Sequence, residues 1–581
     1  MTGRTRVIGS AAAVAALTGL VLLVAHPDPR LAWLAAMPLM AALWAAFAAG
    51  AWLVRQAPLR WAVALILVGG IAVQLAALSG PPRSSDDLYR YIWDGRVQAA
   101  GFDPYQYVPA APQLVAVRDP FLWNTRAPHC VPAGAKAAMA HGETLTAGCT
   151  RINRPTAPTI YPPVAEAYFL AVSYLSPWLG RGSTPIQAAA ALCAIATTIV
   201  LLLGLRSLGR DPRLAALWAW CPVVALEAGN NAHVDVLAAG ITAGALLAAA
   251  KAARLRRSLA GGVLLGLAFA TKMTPILVTP ALLRRRGLAV LSAAAAAAGL
   301  VYLPHVLRVG GGVLGFLPIY LSQEGYDSGS RFALLDLLVP DRWATAAAFA
   351  VLAVTALAVL RRSDPDQPWR GALVMTGVAL AVTTPGYPWY SMLLVMLVAF
   401  DGRAEWLAFG AAMHLSGEHP LPGVTLTATA AERIGYGAAV LIVVAVAAVR
   451  QFLRALPART AEHAAIHVAV PHPPRRAVLP GHVHVEDGCA FRHRQRCHPG
   501  VAEGALDMAG SDHFDLVRVD EPQPALPLPE AQHLGAGPLF PSPPVVQVER
   551  TEPGPGVDHD AVEDVEFRDL QDMLDHAELL T

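Results

Sequence analysis

Leu31–Val54 reads LAWLAAMPLMAALWAAFAAGAWLV, 24 residues without one Asp, Glu, Lys or Arg. A helix rises about 1.5 Å per residue, so about 20 residues cross the hydrocarbon core of a bilayer. The stretch is therefore read as a membrane span. Trp61–Gly80 and Leu288–Leu307 are equally free of charge. Over all 581 residues the apolar fraction is 55% and the charged fraction 15%, too little polar surface to cover a soluble protein of this size. The expected fold is an all-α integral membrane protein, a polytopic helical bundle of about 12–14 membrane segments.

Working outward from that stretch, spans fall near 7–25, 31–54, 61–79, 186–205, 214–229, 236–250, 288–307, 343–360, 371–384, 389–400, 405–416 and 433–449. The first resembles a signal peptide, since Arg4 and Arg6 precede it. It lacks an evident small-residue cleavage pattern and another span follows closely, so it is read as a retained anchor. Basic clusters flank the spans: Arg4/Arg6, Arg55/Arg60, Arg206/Arg210/Arg213, Lys251 to Arg257, Arg284–Arg286, Arg361/Arg362, Arg403 and Arg450/Arg454. With a cytoplasmic N-terminus, alternate crossings put every cluster inside, as the positive-inside rule predicts. Residues 1–455 then form the membrane domain, with 80–185 a long extracytoplasmic loop. That loop includes Val164–Leu179, an interfacial or re-entrant segment. Leu259–Leu283 starts and ends beside cytoplasmic clusters and holds Lys272, Thr274 and Pro275 midway. It is expected to be a helix–break–helix hairpin. Under this topology the polar turns collect on the extracytoplasmic face.

Beyond Leu456 the character changes. Residues 456–581 are rich in Pro, His, Asp and Glu, hold 11 of the 18 histidines, and lack a sustained apolar period. They are read as a cytoplasmic, mostly disordered tail, with a short amphipathic helix at Val562–Leu580. The histidines there, with Cys489 and Cys497, match no compact ligand spacing, and no metal site is expected. Cys193 and Cys221 are read as packing residues. Cys130 and Cys149 can pair if their loop faces an oxidising compartment. The net charge of +2 gives no reason to expect a nucleic-acid partner.

The densest polar cluster is Ser84-Ser-Asp86-Asp87-Leu-Tyr-Arg90-Tyr91-Ile-Trp-Asp94-Gly-Arg96. On a helix Asp87, Arg90, Tyr91 and Asp94 share a face. A carboxylate placed where a span emerges can take a proton from an attacking hydroxyl. Alternatively, Ser84-x-x-Asp87 is a capping pattern and Asp87 only supports the helix start. Gly101-Phe-Asp-Pro-Tyr105 ends the helix by turn chemistry. A second cluster, Glu227 to Asp235, offers Asn230, His233 and Asp235 as ligand contacts. Lys272, in an apolar hairpin, calls for an anionic partner or snorkels to the interface. Arg331 suits a phosphate. Tyr387 and Trp389 stack on a sugar or sit in an interfacial aromatic belt. No nucleotide-phosphate loop, zinc-protease HExxH or serine-elbow motif is found.

Asp87-x-Tyr-Arg90-Tyr-x-Trp-Asp94-Gly-Arg96, then Gly101-x-Asp-Pro-Tyr105, then Thr159-Ile-Tyr161-Pro-Pro163 resembles bacterial polyprenol-phosphate-dependent glycosyltransferases of the GT-C superfamily. The likeness is closest to mannosyltransferase-like and family-87-like members. Asn230–Asp235, Lys272-x-x-Pro275 and Pro385-x-Tyr387-x-Trp389-Tyr390 extend it over about residues 60–450. The resemblance implies a GT-C-like bundle in the cell membrane that transfers a sugar, commonly mannose, from a polyprenyl-phosphate donor to an extracytoplasmic glycan or glycolipid. It implies no nucleotide sugar, cofactor or obligatory metal, the lipid-phosphate sugar being substrate. Asp87 stands at the position of the general base, with Asp86 in reserve, and Lys272 or Arg331 meets the departing phosphate. A transporter or flippase of lipid-linked sugars is the alternative. That reading calls for two related halves with midplane charges, and no such repeat is visible.

Overall fold

The computed structural model describes residues 3–27, 36–123, 150–251, 254–417 and 427–455. Cys130, Cys149 and the tail from residue 456, with its amphipathic segment, lie outside the described residues. The chain divides into two units, Met1–Val470 and Pro471–Thr581, and every described residue belongs to the first.

The described backbone is helical, and its one isolated extended pairing is Trp123 with Thr150. Seven helices are long and apolar enough to cross a bilayer: Gly3–Ala25, Met37–Val54, Leu59–Leu78, Thr184–Ser207, a run over Gly287–Gln323, Asp341–Arg362 and Thr429–Leu453. Asp235–Ala250 and Pro388–Asp401 are shorter and apolar. Three of the long helices turn bare apolar faces outward, where Leu300 is 71% exposed, Phe349 70% and Leu441 70%. Apolar surface on this scale requires lipid rather than water. By contrast, Met392 through Phe400 are all buried, the signature of a helix enclosed by protein on every side.

Two expected elements take a different form. The span read at 214–229 is a series of short turns: Pro212–Ala215, Ala216–Ala219, Pro222–Val224 and a π-helical turn, Ala225–Asn230. Pro222 cannot donate an N–H to a continuous helix, and the wide turn places Glu227 and Asn230 against neighbouring chains. The 259–283 hairpin has one regular arm, Leu255–Phe269. Beyond the break at Lys272 the second arm is a 3₁₀ turn, Thr274–Val278, and one helical turn, Thr279–Leu282. Val164–Leu179 lies within one continuous helix, Pro163–Leu179.

The ends of the bundle differ in chemistry. At one end Arg6 donates to the Gln56 carbonyl and Arg213 to that of Ala57. Arg210 donates to the Asp401 carbonyl, while Arg370 and Arg403 pair with its carboxylate. At the other end of the Gly3–Ala25 helix, His26 meets Ser79 at 3.0 Å, just before the segment that opens the Asp87–Ala99 helix. That helix closes with the expected turn. Gly101 adopts φ +85°, with Phe102 N–H donating to Val97 and Gly101 N–H to Gln98, the paired bonds of a Schellman cap.

The arm that carries Lys272 is held by close backbone approach. Cβ atoms at Gly262 and Gly266 would lie 2.4 Å from the Val290 carbonyl oxygen and 2.3 Å from that of Ala294. These glycines, four residues apart, seat Leu255–Phe269 directly on Gly287–Val309, as small residues do in membrane helix pairs. Gly299, on the partner helix, has open space around it. Gly266→Ala is expected to destabilise the detergent-solubilised protein by about 1–3 kcal/mol through overpacking. Gly299→Ala should leave it unchanged or slightly raised. Thermal unfolding of both variants checks this.

Candidate active site

Five segments distant in sequence converge on one cavity of about 720 Å³. Pro82–Arg90 supplies the first wall and Asn153–Tyr161 the second. Lys272–Thr274, Phe316–Tyr326 and Tyr387–Tyr390 complete it.

Asp86 and Asp87 both line the cavity. The Asn153 amide spans them, donating to Asp86 Oδ1 at 2.9 Å and to Asp87 Oδ1 at 2.7 Å. Helix capping does not use Asp87 or Ser84. Asp87 N–H donates to Ser85 Oγ at 3.2 Å, and Asp86 occupies the cap position without a side-chain cap bond. Ser84 instead accepts from Asn231 Nδ2 at 2.6 Å, while the Arg83 and Ser84 N–H groups donate to Asn231 Oδ1. Both carboxylates are therefore left facing the cavity. Burial, reinforced by the Asp87 charge, pushes the Asp86 carboxyl from the ordinary 3.8 up to about 6, against the Asn153 bond.

Behind Asp87 stands His233, fully buried, its Nδ1 3.9 Å from Asp87 Oδ2 and its Nε2 3.5 Å from Glu227 Oε2. Burial holds the imidazole below its ordinary range despite the carboxylates around it, so the ring is neutral near pH 7. His414 reaches the other Glu227 oxygen at 3.6 Å. The π-turn that carries Glu227 thus faces two histidines and the Asn231 amide. His233 stacks on Trp389 at 3.9 Å, and Trp389 on Tyr387 at 4.6 Å. Trp389 is 8% exposed, so this aromatic group is a wall of the cavity rather than a lipid-facing belt.

The remaining candidates sort by partner. Lys272 pairs with Asp235 at 3.1 Å and lies over the Tyr161 and Tyr390 rings. Its anionic partner is thus part of the protein. Arg331 pairs with Glu324 at 2.9 Å and does not line the cavity. Arg90 reaches the cavity wall, yet its Nε donates to both Asp94 oxygens, at 2.8 and 3.0 Å, and its Nη1 to the Ala157 carbonyl. Asp94 and Asn230 are buried away from the cavity. Asn230 donates to the Ala77 and Pro81 carbonyls. Tyr91 stacks on Phe169 at 4.5 Å and lines a second cavity of about 320 Å³. Sequence reasoning passed over Asn153, Arg154, Glu324 and Tyr320. The first two sit in an irregular stretch before Thr159-Ile-Tyr161-Pro-Pro163, and the signal available was two polar side chains adjoining that motif.

A multi-pass membrane protein with paired carboxylates, aromatic walls and cations around one recessed cavity is equipped to transfer a polar group beside a bilayer. Residues 159–385 match the family described as Glycosyltransferase family 87. Over that region, less than half of its length, the chain is similar to this glycosyltransferase family. The matched region takes in Tyr161, Asn230–Asp235, Lys272 and Arg331, while Asp86, Asp87 and Tyr387–Tyr390 lie outside it. No curated protein and no solved structure matches the chain.

The raised Asp86 carboxyl has a consequence for stability. The folded state binds this proton more tightly than the unfolded chain, so ionising Asp86 costs stability as pH rises from about 4 through about 6. Asp86→Asn removes that cost. Thermal unfolding across pH should show the variant gaining on the wild type over this window, with the gap level above it and absent below pH about 4.

Proposed function

We propose that the protein moves a sugar, mannose in the first instance, from a polyprenyl-phosphate donor to a glycan or glycolipid acceptor, with Asp87 as general base. The observation that carries this reading is the carboxylate pair fixed by Asn153 on a cavity whose other walls combine aromatic and apolar side chains with cations such as Lys272 and Arg154. In the proposed step the acceptor oxygen bonds to the anomeric carbon and its proton passes to Asp87. The bond from that carbon to the phosphate oxygen breaks, and the electron pair leaves with the polyprenyl phosphate. Asn153 orients the Asp87 carboxylate through Oδ1, and that carboxylate takes the proton, as a base must lie within hydrogen-bond reach of it. Neutral His233 supports Asp87 from behind. The stacked Tyr387 and Trp389 offer a flat face to the sugar ring. The chemistry is metal-free and needs no cofactor, with charge on the leaving phosphate met by cavity cations.

The basic end of the bundle supports a cytoplasmic placement under the positive-inside rule, which puts the cavity on the extracytoplasmic face of the cell membrane. The tail from residue 456 falls, on the same reading, in the cytoplasm.

Membranes carrying the protein, supplied with polyprenyl-phosphate mannose, glucose and arabinose in turn, test the donor. Asp87→Asn is expected to lower kcat by about 10²–10⁴-fold, the usual weight of general-base catalysis, while KM for the donor stays near wild type. Full turnover in that variant would remove Asp87 from the role.

A further inference from the structure

We infer that Arg154 is the residue that grips the donor's phosphate, with Phe316, Leu317 and Leu321 receiving the first isoprene units of its tail. The inference rests on the lipid-phosphate reading above and names the part of the cavity that recognises that donor.

Charge pairing leads to Arg154 by elimination. Lys272 is matched by Asp235 and Arg331 by Glu324. Arg90 is held by both oxygens of Asp94. Arg154 lines the cavity and forms no ion pair among the described residues. Arg83, also on the wall, is exposed to solvent. A half-buried guanidinium that feels the Asp86 charge but forms no salt bridge with it keeps its fork of donors for a planar, multi-oxygen anion.

The backbone provides a second and independent observation. Arg154 adopts φ +45°, a left-handed conformation that disfavours a residue with a long side chain. Strain of this kind persists where the surroundings fix it, and it gathers at ligand sites. Here the chain is held on both sides. Asn153 is anchored by the two carboxylates, Pro155 accepts from Ala110 N–H, and the Arg154 carbonyl accepts from Ala157 N–H. The guanidinium is thereby set over the rings of Phe316, 5.2 Å away, and Tyr320, 5.9 Å away.

Those rings begin an apolar path out of the cavity. Phe316, Leu317 and Leu321 line it, Leu321 is 40% exposed, and neighbouring Leu314 and Ile319 are 49% and 55% exposed. A phosphate at Arg154 therefore has an apolar surface beside it leading outward, which fits a phosphorylated lipid better than a free phosphate.

The test is binding of farnesyl phosphate, inorganic phosphate and farnesol to the full chain in nanodiscs, read by intrinsic fluorescence, alongside donor kinetics. Arg154→Gln removes the charge. Arg154→Asn does so with a residue that tolerates positive φ, so folding is preserved, as thermal unfolding will show. Both should weaken farnesyl phosphate binding about tenfold or more and raise the donor KM with little change in kcat. Farnesol binding should be unaffected, and inorganic phosphate should bind far more weakly than the lipid. Arg154→Lys should restore part of the affinity. Wild-type affinity for farnesyl phosphate in the Gln and Asn variants would overturn the assignment of Arg154 alone. Equal binding of inorganic phosphate would overturn the lipid path. A wild-type protein that binds no prenyl phosphate would overturn the lipid-phosphate reading, and the inference with it.

Discussion

Met392–Asp401 spans ten residues, roughly 15 Å of helix, about half the thickness of a hydrocarbon core. That shortness is the constraint on which the site depends. The helix is enclosed by protein, and its far end, Asp401, is tied into the arginine cluster at the basic end of the bundle. Its near end runs into Tyr387–Tyr390, the aromatic wall of the cavity. Asp235–Ala250, at 16 residues, stops short in the same way and opens with Asp235, the partner of Lys272. The cavity walls come from the start of the Asp87–Ala99 helix, the Leu317–Gln323 helix and the irregular segments at Asn153–Tyr161, Lys272–Thr274 and Tyr387–Tyr390. Irregular backbone at such depth is tolerated only where it faces protein or a wet cavity, so the π-turn at Ala225–Asn230 and the break at Lys272 fall where the architecture permits them.

Low dielectric then decides which charged groups remain for a ligand. An unpartnered charge in an enclosed site is costly, and most here are matched internally: Lys272 with Asp235, Arg331 with Glu324, Arg90 with Asp94. One of these pairs also joins elements distant in sequence, and another is local. Lys272 and Asp235 link the tip of the hairpin to the start of a short helix, and Arg331 with Glu324 closes the loop beside Tyr387. Asp86, Asp87 and Arg154 stand out against that background, because none forms a salt bridge to an oppositely charged Lys, Arg, Asp or Glu, and their close contacts are an amide, a neutral imidazole and aromatic rings. Polar groups held this way are fixed in place yet keep charge to offer.

Much of this was legible in the sequence. Charge-free runs such as Leu31–Val54 announced the bundle. The Asp86–Arg96 cluster, the Glu227–Asp235 turn, Lys272 and the Tyr387–Tyr390 group each pointed to a segment that reaches the site. The roles within those segments were less readable, since pairing is a three-dimensional property. Lys272 and Arg331 look alike in sequence to a cation awaiting phosphate, and only the fold brings Asp235 and Glu324 to them. The capping alternative could not be decided from sequence for a similar reason. Ser84-x-x-Asp87 fits the local pattern, but Asn231, 147 positions along the chain from Ser84, takes the serine. Asn153 and Arg154 lie in irregular backbone without periodicity, so nothing in their spacing marked them.

The proposed transfer makes opposite demands at two points, a base beside the attacking hydroxyl and positive charge beside the departing phosphate. If those charges met each other they would pair and neutralise. The dipeptide Asn153-Arg154 addresses both demands while keeping them apart. Asn153 directs a neutral amide at the two carboxylates, so they are oriented without a cation in contact. The left-handed turn at Arg154 sets the next side chain over Phe316 and Tyr320, near enough to Asp86 for their charges to interact but without a salt bridge. On the proposed chemistry, the strain at one residue keeps the base and the anion site distinct within a cavity of about 720 Å³.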